Sequence, residues 1–286
     1  MNCFFVTDIH GRTERYRKLF RVIEKETPDV LFIGGDLFAH VMVSRRKSGD
    51  SSQDFLDDFL IGKLSTLRDK LKDKYPEIFL ILGNDDGRYE EAAMIDYAGR
   101  GFWHYIHNKK IPLGDYNLYG YAFVPPTPFM LKDWERYDVS RYADPGCVPP
   151  DKGYHTIKIP EHKIKFGTIA KDLEELAGQN DLSKAIMLFH TPPYKTNLDR
   201  ADIGGKSIDH APLDPHVGSV AVRKFIEKKQ PLITMHGHIH ESSRLTGSWR
   251  DKIGRTHLFS AAHDGPELSL VRFNPENPES ATRKLI

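Results

Sequence analysis

Short apolar runs alternate with longer amphipathic ones through the first third of the chain. Cys3 to Val6 reads as a buried strand. Thr13 to Lys25 reads as a helix, with Leu19, Val22 and Ile23 on one face and charges opposite. After Pro28, Val30 to Ile33 is a second strand, stopped by Gly34-Gly35. The polar stretch Ser44 to Ser52 has the makeup of a surface loop. Phe55 to Leu71 places Phe55, Phe59, Leu60, Leu64, Leu67 and Leu71 at helical spacing. Ile78 to Leu82 is a third apolar run, and Glu90 to Ala98 a further short helix. Strand, helix, strand, helix, strand in this order predicts a parallel α/β sheet.

The middle of the chain loses this rhythm. Tyr116 to Val124 reads as a strand, and Pro125-Pro126-Thr127-Pro128 then ends all periodicity. As far as about Ile159 the chain is rich in proline and aromatics, among them Phe129, Trp134, Tyr137, Tyr142 and Tyr154. A connection that long without regular elements is usually a functional loop or a flexible segment. As a lid it would wall a cleft, with Phe129 and Trp134 among the substrate contacts. Regular elements resume with a helix at Ile169 to Ala177, a strand at Ala185 to Phe189 and a helix at Val217 to Lys229. Strands follow at Leu232 to Met235, His257 to Ser260 and Leu268 to Phe273. The Pro-containing tail from Asn274 is expected to pack loosely. The expectation is one domain over residues 1–286, with an insertion at about 125–160.

Charge and cysteine content narrow the partners. Lys and Arg number 41 and Asp and Glu 40, a net charge of +1, so there is no global basic field to grip nucleic acid. Two cysteines, Cys3 and Cys147, are too few for a disulfide framework and suit a reducing compartment. No apolar run approaches the ~18 residues needed to cross a bilayer. The cytoplasm is the expected location, with no membrane partner.

Chemistry gathers at the strand ends. Five segments place Asp, Asn or His directly after an apolar run: Asp8-Ile9-His10, Gly35-Asp36, Gly83-Asn84, His190 and Gly237-His238-Ile239-His240. Ligands of open α/β sheets bind at the carboxyl ends of strands. Glycine before Asp36, Asn84 and His238 permits the close backbone approach of a crowded site. Imidazole, carboxylate and carboxamide oxygen together suit divalent or trivalent Zn, Fe or Mn. Seven such groups exceed what one first-row ion accepts, whereas two ions sharing one carboxylate would use them all.

These motifs, Asp-x-His, Gly-Asp, Gly-Asn, His and Gly-His-x-His in this order, resemble the calcineurin-like metallophosphoesterase superfamily. The resemblance reaches from Asp8 to His240. It implies a four-layer α/β/β/α sandwich. One metal would be held by Asp8, His10, Asp36 and His240, the other by Asn84, His190 and His238 with Asp36 as the bridge. It implies a dinuclear phosphoesterase in which a metal-bridging hydroxide attacks phosphorus. Asp36, Asn84, His190 and Asp85 are the residues expected at the catalytic step. The substrate would be a small phosphoester, nucleotides included.

One position departs from the family pattern. Where much of the superfamily has a His after the Asn, this chain has Asp85, in Gly83-Asn84-Asp85-Asp86. Branches lacking that His include phosphodiesterases, and diesters are the expected substrates. The continuation Leu37-Phe38-Ala39-His40 lacks the Val-Asp-Arg-Gly of the Ser/Thr protein phosphatases. The competing reading is a catalytically weak metal-binding scaffold for protein partners. Singly, Asp8 or Asp36 would be read as a helix cap and His190 as a histidine at the core edge. His40, His210, His216 and His263 read as surface or structural residues. Gly204-Gly205-Lys206-Ser207 lacks the spaced glycine of a phosphate loop.

Overall fold

A computed structural model describes residues 1–39, 55–205, 207–208 and 211–286. The loop expected at 44–52, and His40, Lys206 and His210, lie outside the described residues. Strands β1 (Cys3–Val6), β2 (Val30–Gly34) and β3 (Glu77–Ile81) are the three apolar runs of the first third. They pair in parallel with one another, and β4 (His104–Tyr105) joins β3 in the same sense. Runs such as Cys-Phe-Phe-Val, apolar at every position, suit strands covered on both faces.

Antiparallel strands β13 (Ser269–Asn274) and β14 (Asn277–Leu285) extend this sheet, giving the order β14-β13-β1-β2-β3-β4. The second sheet has the order β11-β12-β10-β7-β6-β5. Its inner strands β6 (Tyr116–Tyr121), β7 (Ala185–Phe189), β10 (Ile233–His236) and β12 (Thr256–Ser260) are parallel. Its edges β5 (Lys109–Leu113) and β11 (Arg250–Ile253) are antiparallel, and β8 (Ser207–Ile208) and β9 (Ala211–Pro212) form a separate antiparallel pair. Between the two main sheets lies one apolar core whose members run from Cys3 to Ala281.

Helices cover the outer faces. Helix α1 (Thr13–Glu26) buries Tyr16, Leu19, Phe20 and Ile23. A π turn over Phe55–Ile61 leads into α2 (Gly62–Leu71), and the two bury Leu56, Leu60, Leu64 and Leu67. On the other side lie α5 (Ile169–Ala177) and α6 (Val220–Lys229), which follow the short α3 (Glu91–Gly99) and α4 (Glu161–Phe166). Thr168 and Ser219 cap α5 and α6 by accepting the amide of the third residue on. The four-layer α/β/β/α sandwich is therefore what the chain forms. Among the described residues no helix is long and apolar enough to cross a membrane.

The three apolar runs of the first third pair in parallel as expected, whereas β13, β14, β5 and β11 run antiparallel to their neighbours. Two expectations need correction. The tail is an ordered edge strand, with Leu270 opposite Lys284 and Arg272 opposite Thr282. Its sequence hid this because Ala281 alone on β14 is buried. The stretch after Pro125 is also closely packed. Trp134 is fully buried, edge-on to His107 at 5.0 Å and 5.6 Å from Phe123, so it is a core residue rather than a cleft contact.

Polar groups of this stretch fasten it. Lys132 and Glu135 form a fully buried pair 2.5 Å apart. Burial pushes the Glu135 carboxyl up to about 7, against Lys132 and Thr127, and it lowers the Lys132 ammonium. Asp138 accepts from Ser219 Oγ at 2.5 Å and from the Val220 amide at 2.7 Å, adding a second cap to α6.

Candidate metal centre

The candidate ligands come from both sheets. Asp8 and His10 follow β1, Asp36 follows β2, and Asn84 and Asp85 follow β3. His190 follows β7, while His238 and His240 follow β10. Four of these residues, Asp8, His10, Asp36 and His238, have φ between 52° and 71°. Left-handed backbone at non-glycine residues costs energy and gathers at functional sites. The strands here turn abruptly, and the next few side chains point into one pocket.

The preceding glycines are there for space. A Cβ on Gly83 would lie 2.3 Å from Asp36 Oδ1. One on Gly237 would lie 2.7 Å from Asp8 Oδ2, and one on Gly35, whose φ is +100°, 2.8 Å from His190 Nδ1. Each glycine makes room for a candidate ligand carried by a different strand.

Donor atoms of Asp8, His10, Asp36 and His240 all lie within 4.8 Å of one another, a set that could hold a metal ion. His10 Nε2 and His240 Nε2 are 3.0 Å apart. On the other side of Asp36, His190 Nε2 lies 3.4 Å from Asp36 Oδ2 and 2.9 Å from Asn84 Oδ1. The His238 ring packs 5.3 Å from that of His190, and its amide donates to Asp8 Oδ1 at 3.1 Å. Asp85 donates its amide to Asp36 Oδ1 at 2.8 Å, and its carboxylate lies 3.5 Å from His10 Nδ1. All seven expected ligands and Asp85 are thus in one place.

Electrostatics favour a cation there. Asp8 and Asp36 are buried, and among the described residues neither has a Lys or Arg at ion-pair distance; their partners are histidines. Burial disfavours both carboxylates, yet His190 and His10 hold Asp36 well below the usual range and His240 lowers Asp8. The same couplings, outweighing burial, raise His190 to about 10 through Asp36 and His240 to about 9 through Asp8. Burial, helped by the charge of His190 and His240 and opposed by Asp36 and Asp8, takes His238 down to about 3. Burial and then the Asp36 charge push Asp85 up to about 7. Without ions, protons on His190 and His240 neutralise two buried carboxylates. Cations would do the same with better-matched donors.

Supporting residues escaped the sequence reading. His190 Nδ1 lies 2.7 Å from the Gly34 carbonyl, a contact that requires the proton on Nδ1 and leaves Nε2 facing Asp36 and Asn84. Buried Asp86 accepts amides of Leu37, Phe38 and Gly83 at 3.1, 2.9 and 2.9 Å, which locks the turns after β2 and β3 together. It completes the Gly-Asn-x-Asp run, the one signal that pointed to it. Arg15, buried on α1, donates to the Asp8 carbonyl at 2.6 Å and to the Gly265 carbonyl. His216 and His263 serve outside the cluster, bonding Asp199 and Glu267.

The sequence pattern of calcineurin-like phosphoesterases matches residues 1–242, and the chain belongs to that family. No curated protein matches it in sequence. Among solved structures it resembles a dimetal phosphatase from Danio rerio at 12% identity and TM-score 0.55, covering 100% of this chain and 95% of that one. It also resembles the TT1561 protein of Thermus thermophilus at 13% identity and TM-score 0.53, covering 99% and 98%. These likenesses concern the fold. Family membership and the Asp/His cluster together support a metal-dependent phosphoester hydrolase.

Proposed function

We propose that the protein is a dinuclear phosphodiesterase acting on small phosphoesters, nucleotides included, with Mn, Fe or Zn as its ions. The observation that carries the metal reading is the convergence of Asp8, His10, Asp36 and His240 within 4.8 Å, with His190 beside the same Asp36 carboxylate and Asn84 against His190. Asp8, His10, Asp36 and His240 would hold one ion. Asp36, Asn84, His190 and His238 would hold the other. When bound, the two cations supply Lewis acidity and a nucleophile competent at neutral pH.

The chain's own groups prepare that chemistry. Gly34 keeps the His190 proton on Nδ1, so Nε2 needs no rearrangement to coordinate. The Asp85 amide fixes Asp36 Oδ1, and the His238 amide fixes Asp8. Preorganised dipoles of this kind cost no reorientation during reaction.

Asp85 carries the preference for diesters. It stands where the family pattern has an imidazole, and its carboxylate lies at the edge of the cluster beside His10. Bound cations would bring the Asp85 carboxyl back down and keep it ionised, and a carboxylate repels a dianionic monoester more than a monoanionic diester. Turnover of bis(p-nitrophenyl) phosphate, p-nitrophenyl phosphate and cyclic and linear nucleotides with added Mn tests this. Faster diester hydrolysis is expected, and a preference for monoesters overturns the reading.

A further inference from the structure

Asp8 leaves β1 with φ 54°, a left-handed conformation that costs a non-glycine residue energy and persists only where its surroundings enforce it. Its amide donates to the Gly35 carbonyl at 3.0 Å. Its carbonyl is taken by a charged group. Arg15 Nη1 donates to that oxygen at 2.6 Å, while Nη2 donates to the Gly265 carbonyl at 2.5 Å and the His263 carbonyl at 3.4 Å. Arg15 is only 4% exposed, and among the described residues its acceptors are all backbone carbonyls and its Nε has no partner. A buried cation without a carboxylate beside it is costly, and packing alone does not call for one. The planar fork explains the choice, because two nitrogens at fixed spacing reach two separate segments at once.

Those segments meet at one side of the metal centre. Residues 261–268 connect β12 of the second sheet to β13 of the first. On this crossover Asp264 accepts from Arg244 Nε at 2.7 Å, and Arg244 belongs to the helical turn Ser242–Thr246 that follows His240. Asp8 and His240 are themselves in contact, with Nε2 3.3 Å from Oδ1. The crossover is therefore fastened to the turns of two ligands proposed for the same ion. Asn84 and His190 are held by other means, through Asp86 at the Gly83 amide and through the Gly34 carbonyl.

We propose that Arg15 is the positioning residue of the ion site formed by Asp8, His10, Asp36 and His240, a role that rests on the dinuclear reading and deepens it. By fixing the Asp8 carbonyl it sets the aim of the Asp8 carboxylate, and the neighbouring site depends on it far less. Two amides report on the two carboxylates separately. The His238 amide donates to Asp8 Oδ1 at 3.1 Å, and the Asp85 amide to Asp36 Oδ1 at 2.8 Å.

The test follows amide hydrogen exchange residue by residue in the ion-free full chain. In Arg15→Met the His238 amide should exchange about tenfold faster, the scale of one lost hydrogen bond to a charged group, while the Asp85 amide keeps its rate. Arg15→Lys, which keeps the charge but not the fork, should show the same selectivity with a smaller change, and it decides the matter if Arg15→Met does not fold. Equal acceleration at both amides means general loosening and overturns the proposal, as does no change at either. Calorimetric titration with Mn should then show two ions in the wild type, one of them bound about tenfold more weakly by Arg15→Met and the other changed much less. Equal weakening of both ions, or of neither, overturns the proposal. A wild type that binds no Mn defeats the phosphoesterase reading itself. The exchange rates then decide on Arg15 by themselves: a selectively faster His238 amide upholds its hold on Asp8, and an unchanged one refutes it.

Discussion

His10 and His240 face each other Nε2 to Nε2 at 3.0 Å. Two neutral imidazole nitrogens with lone pairs opposed would repel, so a proton or a cation must lie between them. In the ion-free protein the proton belongs to His240, which Asp8 raises to about 9, while burial lowers His10. Without an ion the contact is one N–H···N hydrogen bond, and the two nitrogens that share that proton are the ones that would face a cation.

Metal loading should accordingly be linked to proton release. Ions take the neutral imidazole, and both His190 and His240, at about 10 and 9, are protonated at pH 7 in the ion-free protein. Both values are raised, so affinity should climb as pH rises toward them and weaken as pH falls. The expected dependence is about tenfold per pH unit for each proton displaced. Calorimetric titration with Mn in buffers of different ionisation enthalpy should show one to two protons released, and no buffer dependence would contradict this.

Chelation should abolish hydrolysis and re-addition of Mn should restore it. Metal analysis of the replete protein is expected to give close to two ions per chain. Asp36→Asn should lose both, because Asp36 lies between the His10 and His190 sides of the cluster. One tightly held ion, with Asp36→Asn unaltered, would count against the dinuclear arrangement.

Asp85→His should raise monoester turnover, by removing a carboxylate from the cluster edge and adding an imidazole proton donor. A missing general acid typically costs about 10²–10⁴ in rate, and least for acidic leaving groups. The gain should therefore be larger for alkyl than for p-nitrophenyl monoesters. Equal gains for both would mean that Asp85 does not face the leaving group.

Gly83→Ala tests whether space among the ligands is what the glycine provides. The new Cβ would meet Asp36 Oδ1 at 2.3 Å, and the neighbouring Asp36 amide at 2.5 Å is backbone that cannot swing aside. Overpacking of this kind costs about 1–3 kcal/mol, so the protein should still fold. Metal content and activity should nevertheless collapse. Normal loading in this variant would show that the turn relaxes.

Trp134→Ala should act on stability rather than on substrate binding. The indole is fully buried among His107, Phe123 and the Arg88 guanidinium. Truncation of such a residue typically costs about 3–5 kcal/mol. Denaturant unfolding should register that loss, while KM of any folded fraction stays close to wild type.

The candidate cluster was legible in the sequence for a physical reason. Strands buried on both faces are short uniform apolar runs, so the first polar residue after each stands out, and in this fold those residues meet. The edges were less legible. Strand β14 carries Glu279, Ser280 and Thr282 exposed and Ala281 alone buried, a pattern that does not differ from a loop. Arg15 looked like one more charge on an amphipathic helix, because only the folded chain brings the Asp8 and Gly265 carbonyls to it. Trp134 was misread because proline-rich surroundings suggest a surface, whereas it is packed by Phe123 just beyond β6 and by His107 and Arg88, which lie farther off in sequence.

Four candidate ligands sit on one sheet and three on the other, so neither half of the sandwich holds a complete set. An ion bound there acts as a rivet through the seam. It can be captured only once the two sheets have closed on each other, and pulling them apart must release it. Unfolding should then be resisted in proportion to the logarithm of free metal concentration, as for any ligand that recognises only the native state. The same rivet makes metal retention a sensor of assembly. A substitution far from the centre that loosens the seam should first appear as leaked ions, before any strand is lost.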